Sequence, residues 1–291
     1  MSREKGMSAE NEKSAPHDGG AGMSWEKGMS AENEKSAPHD KGAGMGDRGA
    51  AAVTGAIDTE DASAANVTGY IDSVYCGSGV DGPGLRCVVF VNGCNLRCPF
   101  CHNPETLFKR GTMSDINALK ARLLRYRGYF RRGGVTISGG EPFLQKEFTL
   151  ALVRALAAEG VRCCIETNGH IADEQLIAAA DIVVDIKNQQ TDDLSAYEKF
   201  FAACLRQGKT PRLTNVLVPG VNDKEEKIAA LARLAGRYFP GERIRFLPFR
   251  KLCAEKYENL GIPFPFAAYR EAEEEDIARA EALAAACIDK N

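Results

Sequence analysis

The stretch RCVVFVNGCNLRCPFCHN, residues 86–103, decides the fold class of this chain. Its first part, residues 86–92, is a run of apolar and β-branched side chains that predicts a buried strand. The run leads directly into a loop with Cys94, Cys98 and Cys101 in the spacing C-x3-C-x2-C. In α/β folds, ligands bind where the parallel strands end. The stretch therefore predicts such a fold, with its chemistry at the strand ends.

The chain from about residue 67 onward repeats this alternation of strand and helix. Strands are predicted at residues 86–92, 135–138, 162–166, 181–186, 213–218 and 243–247. Helices are predicted at residues 114–126, 144–159, 173–180 and 267–287, from Ser195 up to Gly208, and after Asn222, with capping boxes at Ser195 and Asn222. Strict alternation implies a parallel sheet with right-handed crossovers. About 225 residues are too few for most complete eight-fold barrels, which leaves a partial barrel or an open doubly wound sheet.

The first 66 residues have a different composition from the rest. Residues 1–52 contain no Val, Ile, Leu, Phe, Tyr or Cys, and the segment EKGMSAENEKSAPHD occurs at residues 4–18 and again at 26–40, a repeat of 22 residues. Such a segment cannot bury enough apolar surface to offset the entropy of ordering it. We therefore predict a disordered low-complexity tail at residues 1–66 and a folded domain at residues 67–291. A duplicated leader, or a true start at Met45, is favoured over a binding arm.

Composition excludes several classes of protein. The 291 residues are 44% apolar and 26% charged, and 37 Lys and Arg against 40 Asp and Glu give a net charge of −3. This balance argues against a nucleic-acid-binding protein, and the absence of an 18-residue apolar run argues against a membrane span. We expect a cytoplasmic monomer. Ten cysteines without a secretory signal predict thiols or metal ligands rather than disulfides.

The three clustered cysteines leave two interpretations open. Thiolates at this spacing can converge on an iron–sulfur cluster, and three ligands would leave one iron of a [4Fe–4S] cluster with a free position. The other interpretation is a Cys3His zinc site with His102 as the fourth ligand. His102 directly follows Cys101, which makes tetrahedral closure awkward.

Polar residues also follow the next three predicted strands. The sequences are SGGEP at residues 138–142, ETNG at 166–169 and DIK at 185–187. The paired glycines let a ligand approach the backbone, and Glu141 is predicted at the rim of the pocket. In an extended segment Asp185 and Lys187 point to one face. A negative Glu141 and a positive Lys187 facing one cavity would suit a zwitterionic amino acid head group.

Together these motifs resemble the organic-radical-activating enzymes of the radical S-adenosylmethionine (radical SAM) superfamily. The likeness runs from about Gly69 to Leu260 and includes DGPGLR at residues 81–86, the cysteine loop, SGGEP, ETNG, DIK, VPGVND at 218–223 and LPF at 247–249. Among these enzymes it is strongest to those that activate pyruvate formate-lyase. The resemblance implies a partial (β/α)6 barrel of the TIM type. It also implies that Cys94, Cys98 and Cys101 hold a [4Fe–4S] cluster whose open iron chelates S-adenosylmethionine (SAM).

The resemblance also assigns roles to side chains around SAM. The implied contacts are Gly139, Gly140 and Glu141 to the amino group, Lys187 to the carboxylate, Asp185 near the head group or ribose, and Phe100 and His102 near the adenine, with Glu166, Thr167 and Asn168 alongside. Three positions depart from the family pattern. Arg250 stands at the place of a histidine near SAM, Thr214 replaces a strand arginine, and Glu166 replaces an aspartate at a site that can hold a monovalent cation.

The implied reaction is the reductive cleavage of SAM. One electron from the cluster would yield a 5′-deoxyadenosyl radical, which takes a hydrogen atom from a backbone glycine of a partner glycyl radical enzyme. Pyruvate formate-lyase is the default partner, and Asp81 is a candidate contact to its glycine loop. The alternatives are an activase of another glycyl radical enzyme, a small-molecule radical SAM enzyme such as a deazapurine synthase or a ribonucleotide-reductase activase, and, outside this class, a zinc-stabilised binding module or an electron carrier.

The remaining cysteines predict how the electron arrives. Residues 102–138 contain no cysteine, so the ferredoxin-like insert of many related activases is missing, and a separate flavodoxin or ferredoxin is expected to supply the electron. Oxygen sensitivity of exposed clusters implies an anaerobic cytoplasm. The scattered cysteines are Cys76, Cys87, Cys163, Cys164, Cys204, Cys253 and Cys287. Most of them are predicted to be buried thiols.

Overall fold

The computed structural model describes residues 67–108 and 110–288. The predicted tail at residues 1–66 and its repeat lie outside the described residues, and its disorder remains a prediction. Within the described part of the chain, no helix is both long enough and apolar enough to span a bilayer.

A single sheet of eight strands forms the centre of the fold. The strands are β1 (Thr68–Ser78), β2 (Arg86–Val91), β3 (Thr112–Asp115), β4 (Gly134–Gly139), β5 (Cys163–Thr167), β6 (Asp181–Asp185), β7 (Arg212–Leu217) and β8 (Ile244–Pro248). They pair in the order β3-β1-β2-β4-β5-β6-β7-β8. All neighbouring pairs from β2 to β8 are parallel, as the six predicted strands required.

Helices cover this sheet and bury its apolar face. They are α1 (Ile116–Leu124), α2 (Arg127–Phe130), α3 (Lys146–Ala158), α4 (Glu174–Ala179), α5 (Ser195–Arg206), α6 (Glu225–Tyr238), α7 (Ala254–Asn259) and α8 (Glu274–Ile288). Two short 3-10 turns, Pro104–Thr106 and Pro142–Gln145, follow β2 and β4. One apolar core joins the sheet to side chains of α1, α3, α5, α6 and α8, including Leu152, Phe201 and Leu231.

The sheet is curved and open, which confirms the predicted partial barrel. In the described chain β8 pairs with β7 and not with β2. One cavity is nevertheless lined both by residues of β5 to β8 and by Gly79–Gly82 in the loop before β2. Strands at the far edge of the sheet therefore curve back toward its beginning, as in an incomplete (β/α)6 barrel.

The prediction of strict alternation is wrong at the beginning of the domain. Strands β1 and β3 had not been predicted; β1 pairs antiparallel with β2, and β3 pairs antiparallel with the other side of β1. The helix expected from Ser114 begins at Ile116, because Asp115 ends β3 and its carboxylate accepts a hydrogen bond of 2.8 Å from Ala118 N. Near the C-terminus, α7 was missed and α8 begins at Glu274 instead of residue 267.

The two predicted capping boxes do not form. Leu194 precedes α5 and makes no side-chain cap, while Glu198 pairs with Arg237 at 2.8 Å. Asn222 lies in a buried polar network instead of capping α6, which begins at Glu225. Side-chain partners from elsewhere in the fold therefore override the local capping pattern.

The prediction of reduced thiols is wrong for Cys76 and Cys87, which form a disulfide. These residues face each other in the antiparallel register of β1 and β2, a pairing that sequence spacing did not reveal. The remaining scattered cysteines are free: Cys163, Cys164, Cys204 and Cys253 are buried, and Cys287 is half-buried. Cys163 lies within the main core, whereas Cys164, its neighbour in β5, does not.

The buried side chain of Arg86 holds the loop between β1 and β2 in place. Its side chain is 1% exposed and donates hydrogen bonds to Thr136 Oγ1 and to the carbonyls of Pro83, Gly133 and Val135 at 2.7–3.1 Å. Burial lowers the pKa of this guanidinium. No described carboxylate forms an ion pair with it, so one hydroxyl and three backbone carbonyls receive its hydrogen bonds. The arginine of the DGPGLR motif therefore anchors the loop that carries Asp81.

We expect Arg86→Met to lower the free energy of unfolding by about 3 kcal/mol, because several buried acceptors each lose a donor. Urea unfolding of the metal-free protein measures this change. The matched control is Arg212→Met, which removes an exposed arginine at the start of β7. An equal, small effect of both substitutions would contradict the anchoring role.

Candidate functional site

A cavity of about 310 Å³ opens where the parallel strands end. It brings together most of the side chains that the sequence predicted for the site: Asp81, Cys94, Cys98, Phe100, Cys101, His102, Gly139, Gly140, Glu166, Thr167, Asn168, Asp185 and Lys187. Residues from the loops after β2, β4, β5 and β6 therefore converge, as strand ends of a parallel sheet must. Two predicted residues, Glu141 and Arg250, are not part of the lining.

The cysteine loop is fastened to its surroundings through its backbone. Gly93 N donates to Thr106 O at 2.7 Å, and Cys94 N donates to Leu107 O at 3.2 Å. Within the loop, Cys101 N donates to Cys98 O at 3.1 Å. These bonds curl the chain so that all three thiols line one cavity.

A second, smaller apolar cluster supports the loop from behind. Phe100 is 3% exposed and packs in this cluster with Val218 and Phe249. Val218 begins the VPGVND stretch after β7, and Phe249 ends the LPF stretch at β8. These two motifs, which are distant in sequence, therefore hold the Phe100 ring in place between Cys98 and Cys101.

Burial disfavours the charged thiolate form of all three cysteines. Desolvation raises the pKa of Cys94 and Cys98, and it raises the pKa of Cys101 to about 11. A metal that binds these sulfurs displaces their protons. The donor set therefore suits a group that brings its own positive charge into the cavity.

Lys187 is the cation nearest to the thiols. Its ammonium contacts the Asp185 carboxylate and lies 5.2 Å from the centre of the Phe100 ring. Burial acts to lower the pKa of Lys187, but the ion pair with Asp185 outweighs it, and the pKa is raised. Lys187 therefore stays charged beside the cavity.

Asp185 also carries an unsatisfied atom. Its Oδ1 is buried and has no hydrogen-bond partner, although the residue lines the cavity. A buried carboxylate oxygen without a donor costs free energy that a bound hydroxyl or cation would recover. The site is thus prepared for a polar ligand at this point.

The Glu141 carboxylate is beneath the cavity and not at its rim, contrary to the predicted position. The residue is completely buried: Oε1 accepts from Phe143 N and from the Thr167 hydroxyl, and Oε2 accepts from Asn168 N, all at 2.8–3.0 Å. Burial raises the pKa of Glu141 to about 7 despite these donors. The carboxylate therefore ties the loop after β4 to the loop after β5.

The end of β5 and the loop that follows it both contribute side chains to the cavity. Glu166 accepts a hydrogen bond of 2.6 Å from the Ser138 hydroxyl, and burial raises the pKa of Glu166. Asn168 Nδ2 donates to Asn95 Oδ1 at 2.8 Å and lies 3.9 Å from Cys94 Sγ. Glu166, Thr167 and Asp185 line the same cavity, and a monovalent cation among them remains a prediction.

His102 and Arg250 meet at the edge of the cavity. His102 Nε2 lies 2.8 Å from Arg250 O, and the Arg250 guanidinium donates to Ala272 O and lies 3.7 Å from Glu271. The Arg250 side chain is thus directed toward the C-terminal segment. His102 is engaged with a carbonyl, whereas the zinc interpretation needs it beside the three thiols. Within the described residues, no group of three His, Cys, Asp or Glu side chains is arranged to hold one metal ion.

Three buried asparagines form a network that the sequence analysis missed. Asn215 Nδ2 donates to Ile186 O and Asn188 Oδ1, while Asn222 Nδ2 donates to Asn188 Oδ1 and Asn215 Oδ1, all at 2.7–3.1 Å. Val218 N in turn donates to Asn222 Oδ1 at 2.8 Å. The network therefore joins the backbone on both sides of Lys187 to the VPGVND stretch. Asn222 belongs to the VPGVND motif, which the sequence did single out. Its partner Asn188 directly follows the DIK motif and lies outside it.

Comparison with known proteins identifies the family. A model described as a 4Fe-4S single cluster domain matches residues 80–200. The chain is 34% identical over 212 residues to the pyruvate formate-lyase-activating enzyme of Clostridium pasteurianum, which covers 68% of this chain and 89% of that protein. It is 35% identical over 218 residues to the enzyme of that name from Staphylococcus epidermidis (67% and 87% covered). The chain belongs to the pyruvate formate-lyase-activating enzyme family.

A solved structure supports the fold. A radical SAM methyltransferase from Sphaerobacter thermophilus aligns with a TM-score of 0.51 and 22% identity over 69% of this chain and 64% of that one. The family assignment makes this chain a radical SAM enzyme, an activase of a glycyl radical enzyme, with a [4Fe–4S] cluster and SAM as its cofactors. The interpretation as a zinc-stabilised binding module or an electron carrier is therefore wrong.

The geometry fits these cofactors. Three thiols line one cavity with one charged lysine, and this donor set matches a thiolate-held cluster. Asp185, with its free oxygen, and the half-buried Gly139 and Gly140 line the same cavity and suit a polar, zwitterionic ligand.

We expect Cys98→Ala to abolish cluster binding and leave the fold intact, because the thiol lies on a loop whose backbone bonds do not involve the sulfur. Anaerobic reconstitution followed by iron and sulfide analysis and by visible absorbance tests this. Cys287→Ala, at a half-buried cysteine of α8, is the control and should retain the full cluster. Broad iron–sulfur absorbance in the Cys98 variant would refute its assignment as a ligand.

The raised pKa of Glu141 gives a pH dependence of stability. The folded pKa of about 7 exceeds the ordinary 4.5, so the proton on this group stabilises the fold below pH 4.5, and that contribution is lost as the pH rises through 7. We expect Glu141→Gln to flatten the fall in unfolding free energy over this range by about 3 kcal/mol. Chemical unfolding of the metal-free protein at several pH values measures the slope. The control, Glu198→Gln at an exposed ion pair, should keep the slope of the parent.

Proposed function

We propose that this activase introduces the glycyl radical into pyruvate formate-lyase. The observation that carries the proposal is a second cavity of about 270 Å³ adjoining the cofactor cavity. Asp81, Glu166 and Leu247 line both cavities. The combined space reaches from the thiols to the loop before β2, which suits an extended peptide loop better than one small substrate.

The residues of the chain divide the work of binding in this proposal. Cys94, Cys98 and Cys101 hold the cluster. The Lys187 ammonium, which also contacts the Asp185 carboxylate, pairs with the carboxylate of SAM. The backbone of Gly139 and Gly140 receives the amino group, with Glu141 holding that backbone in place from beneath. Phe100 and His102 border the adenine. Asp185 Oδ1 accepts a hydrogen bond from a hydroxyl, or it binds a cation together with Glu166 and Thr167. When bound, the cluster and SAM supply the 5′-deoxyadenosyl radical that removes the glycine hydrogen.

Asp81 is the residue that we propose to contact the partner's glycine loop. Its carbonyl accepts a hydrogen bond of 2.6 Å from the Thr136 hydroxyl, and its carboxylate accepts from the Ser78 hydroxyl. The loop is further anchored by Arg86. Asp81 is thus held at the junction of the two cavities, where a backbone N–H of an entering loop would find an acceptor.

We further propose that a separate flavodoxin or ferredoxin supplies the electron, in an anaerobic cytoplasm. The supporting observation is the short segment between the cysteine loop and β4. Its described residues form β3, α1 and α2, and its sequence from residue 102 to 138 has no cysteine for a second cluster.

We expect anaerobically reconstituted protein with SAM and dithionite to release 5′-deoxyadenosine and methionine. With purified pyruvate formate-lyase added, electron paramagnetic resonance should show a glycine-centred radical on the lyase. Cleavage of SAM without a radical on the lyase would retain the radical SAM activity but reject this partner. The absence of 5′-deoxyadenosine would reject the proposal as a whole, and the Cys98→Ala protein serves as the blank.

A further inference from the structure

The outer face of the cysteine loop carries a basic and aromatic surface. The guanidinium carbon of Arg97 lies 5.0 Å from the centre of the Phe108 ring, and that of Arg110 lies 5.4 Å from it. All three side chains are exposed, and Phe108 retains 52% of its accessible surface. We call these three residues the arginine–phenylalanine patch.

The patch has positive charge that nothing nearby neutralises. Arg97 donates to the carbonyls of Cys94 and Leu96, both at 2.7 Å, and neither arginine has a carboxylate partner within the described residues. The one acid in the sequence from residue 93 to 112 is Glu105, and Lys256 pairs with it at 2.5 Å. Two arginines at one exposed ring therefore form a cationic surface with an apolar centre.

Only a thin wall separates the patch from the cofactor cavity. Leu96 and Leu107 line the cavity, and the residues that follow them, Arg97 and Phe108, belong to the exposed patch. The two segments are joined by the hydrogen bond from Cys94 N to Leu107 O at 3.2 Å. The backbone of a cluster ligand is thus bonded directly to the residue that precedes the exposed ring.

The segment that carries the patch is held in place. The Asn92 side chain, at the end of β2, donates to Arg110 O. Gly111 has φ +108°, and a Cβ there would meet Asn92 Nδ2 and Ile71 O, so this tight turn requires glycine. A surface fixed in this way loses little freedom when a partner binds.

We propose that the arginine–phenylalanine patch docks the small acidic electron-carrier protein that reduces the cluster. The inference rests on the proposed function, since it names the surface through which the electron enters. One electron leaves the reduced carrier and enters the cluster, which is reduced by one unit. No bond forms or breaks, and no proton is transferred.

The chemistry of the patch suits this class of partner. Electron-transfer complexes have small interfaces, so three side chains provide a substantial part of one. Arginine and aromatic residues are enriched where interfaces are fully buried. Unpaired positive charge steers a negative protein to the surface and speeds its association. The carrier should therefore present carboxylates around an exposed apolar centre.

The test separates docking from chemistry. Arg110→Glu reverses one charge of the patch and leaves the Arg97 bonds to the cysteine loop intact. Arg233→Glu makes the same charge change at an exposed position on α6 and is the matched control. Circular dichroism and thermal unfolding establish that each variant is folded.

Binding is measured first, by calorimetric titration with a purified acidic bacterial flavodoxin in its oxidised form. We expect Arg110→Glu to weaken binding about tenfold at low salt, and the difference to shrink at about 0.3 M KCl. Arg233→Glu should bind like the parent. Equal affinities for all three proteins, or equal losses in both variants, would overturn the proposal.

Turnover is measured second, with two sources of electrons. Arg110→Glu should form 5′-deoxyadenosine about tenfold more slowly with reduced flavodoxin, in line with its weaker binding, and at the parent rate with dithionite, which needs no docking surface. An equal loss with both reductants would place Arg110 in the cofactor site and overturn the proposal. A parent protein inactive with dithionite would refute the proposed function, while the binding titration would still decide the docking surface.

Discussion

The site depends on the close approach of two backbones at the ends of β2 and β4. Gly140 N donates to Val91 O at 2.8 Å, and Glu141 N donates to Gly93 O at 2.7 Å. A Cβ at Gly140 would lie 2.2 Å from Gly93 O, and Gly139 has φ +109°. The paired glycines therefore let the cysteine loop rest directly on the next strand end. This contact fixes the position of the cysteine loop relative to the loop after β4.

The same contact explains the orientation of Glu141. Once its backbone is bonded to Gly93, its side chain enters the interior and accepts from Phe143 N in its own segment and from two donors at the end of β5. The sequence predicts a carboxylate at the rim of the pocket, facing an ammonium group, because polar residues follow several strand ends there. The direction of a side chain depends on which backbone donors surround it, and local sequence does not carry that information.

Most of the parallel sheet was predictable because each strand is a local apolar run bounded by turn residues. The pattern in residues 86–92 and 181–186 needs no knowledge of partners. Strands β1 and β3 were not predictable in this way, since they have mixed composition and owe their form to antiparallel pairing, β1 with β2 and β3 with β1. The disulfide between Cys76 and Cys87 follows from that pairing. The buried asparagine network around Asn222 was missed because its members lie far apart in sequence and meet only in the fold.

The loop that binds the cluster also divides the molecule into two environments. Toward the barrel, Leu96 and Leu107 face the cavity next to the thiols, where apolar side chains keep water from a reactive intermediate. Toward solvent, Arg97 and Phe108 present charge and a ring to a protein partner. In the proposed function and docking, substrate and reductant therefore approach the cluster from opposite sides of one short segment, so that neither partner has to leave before the other binds.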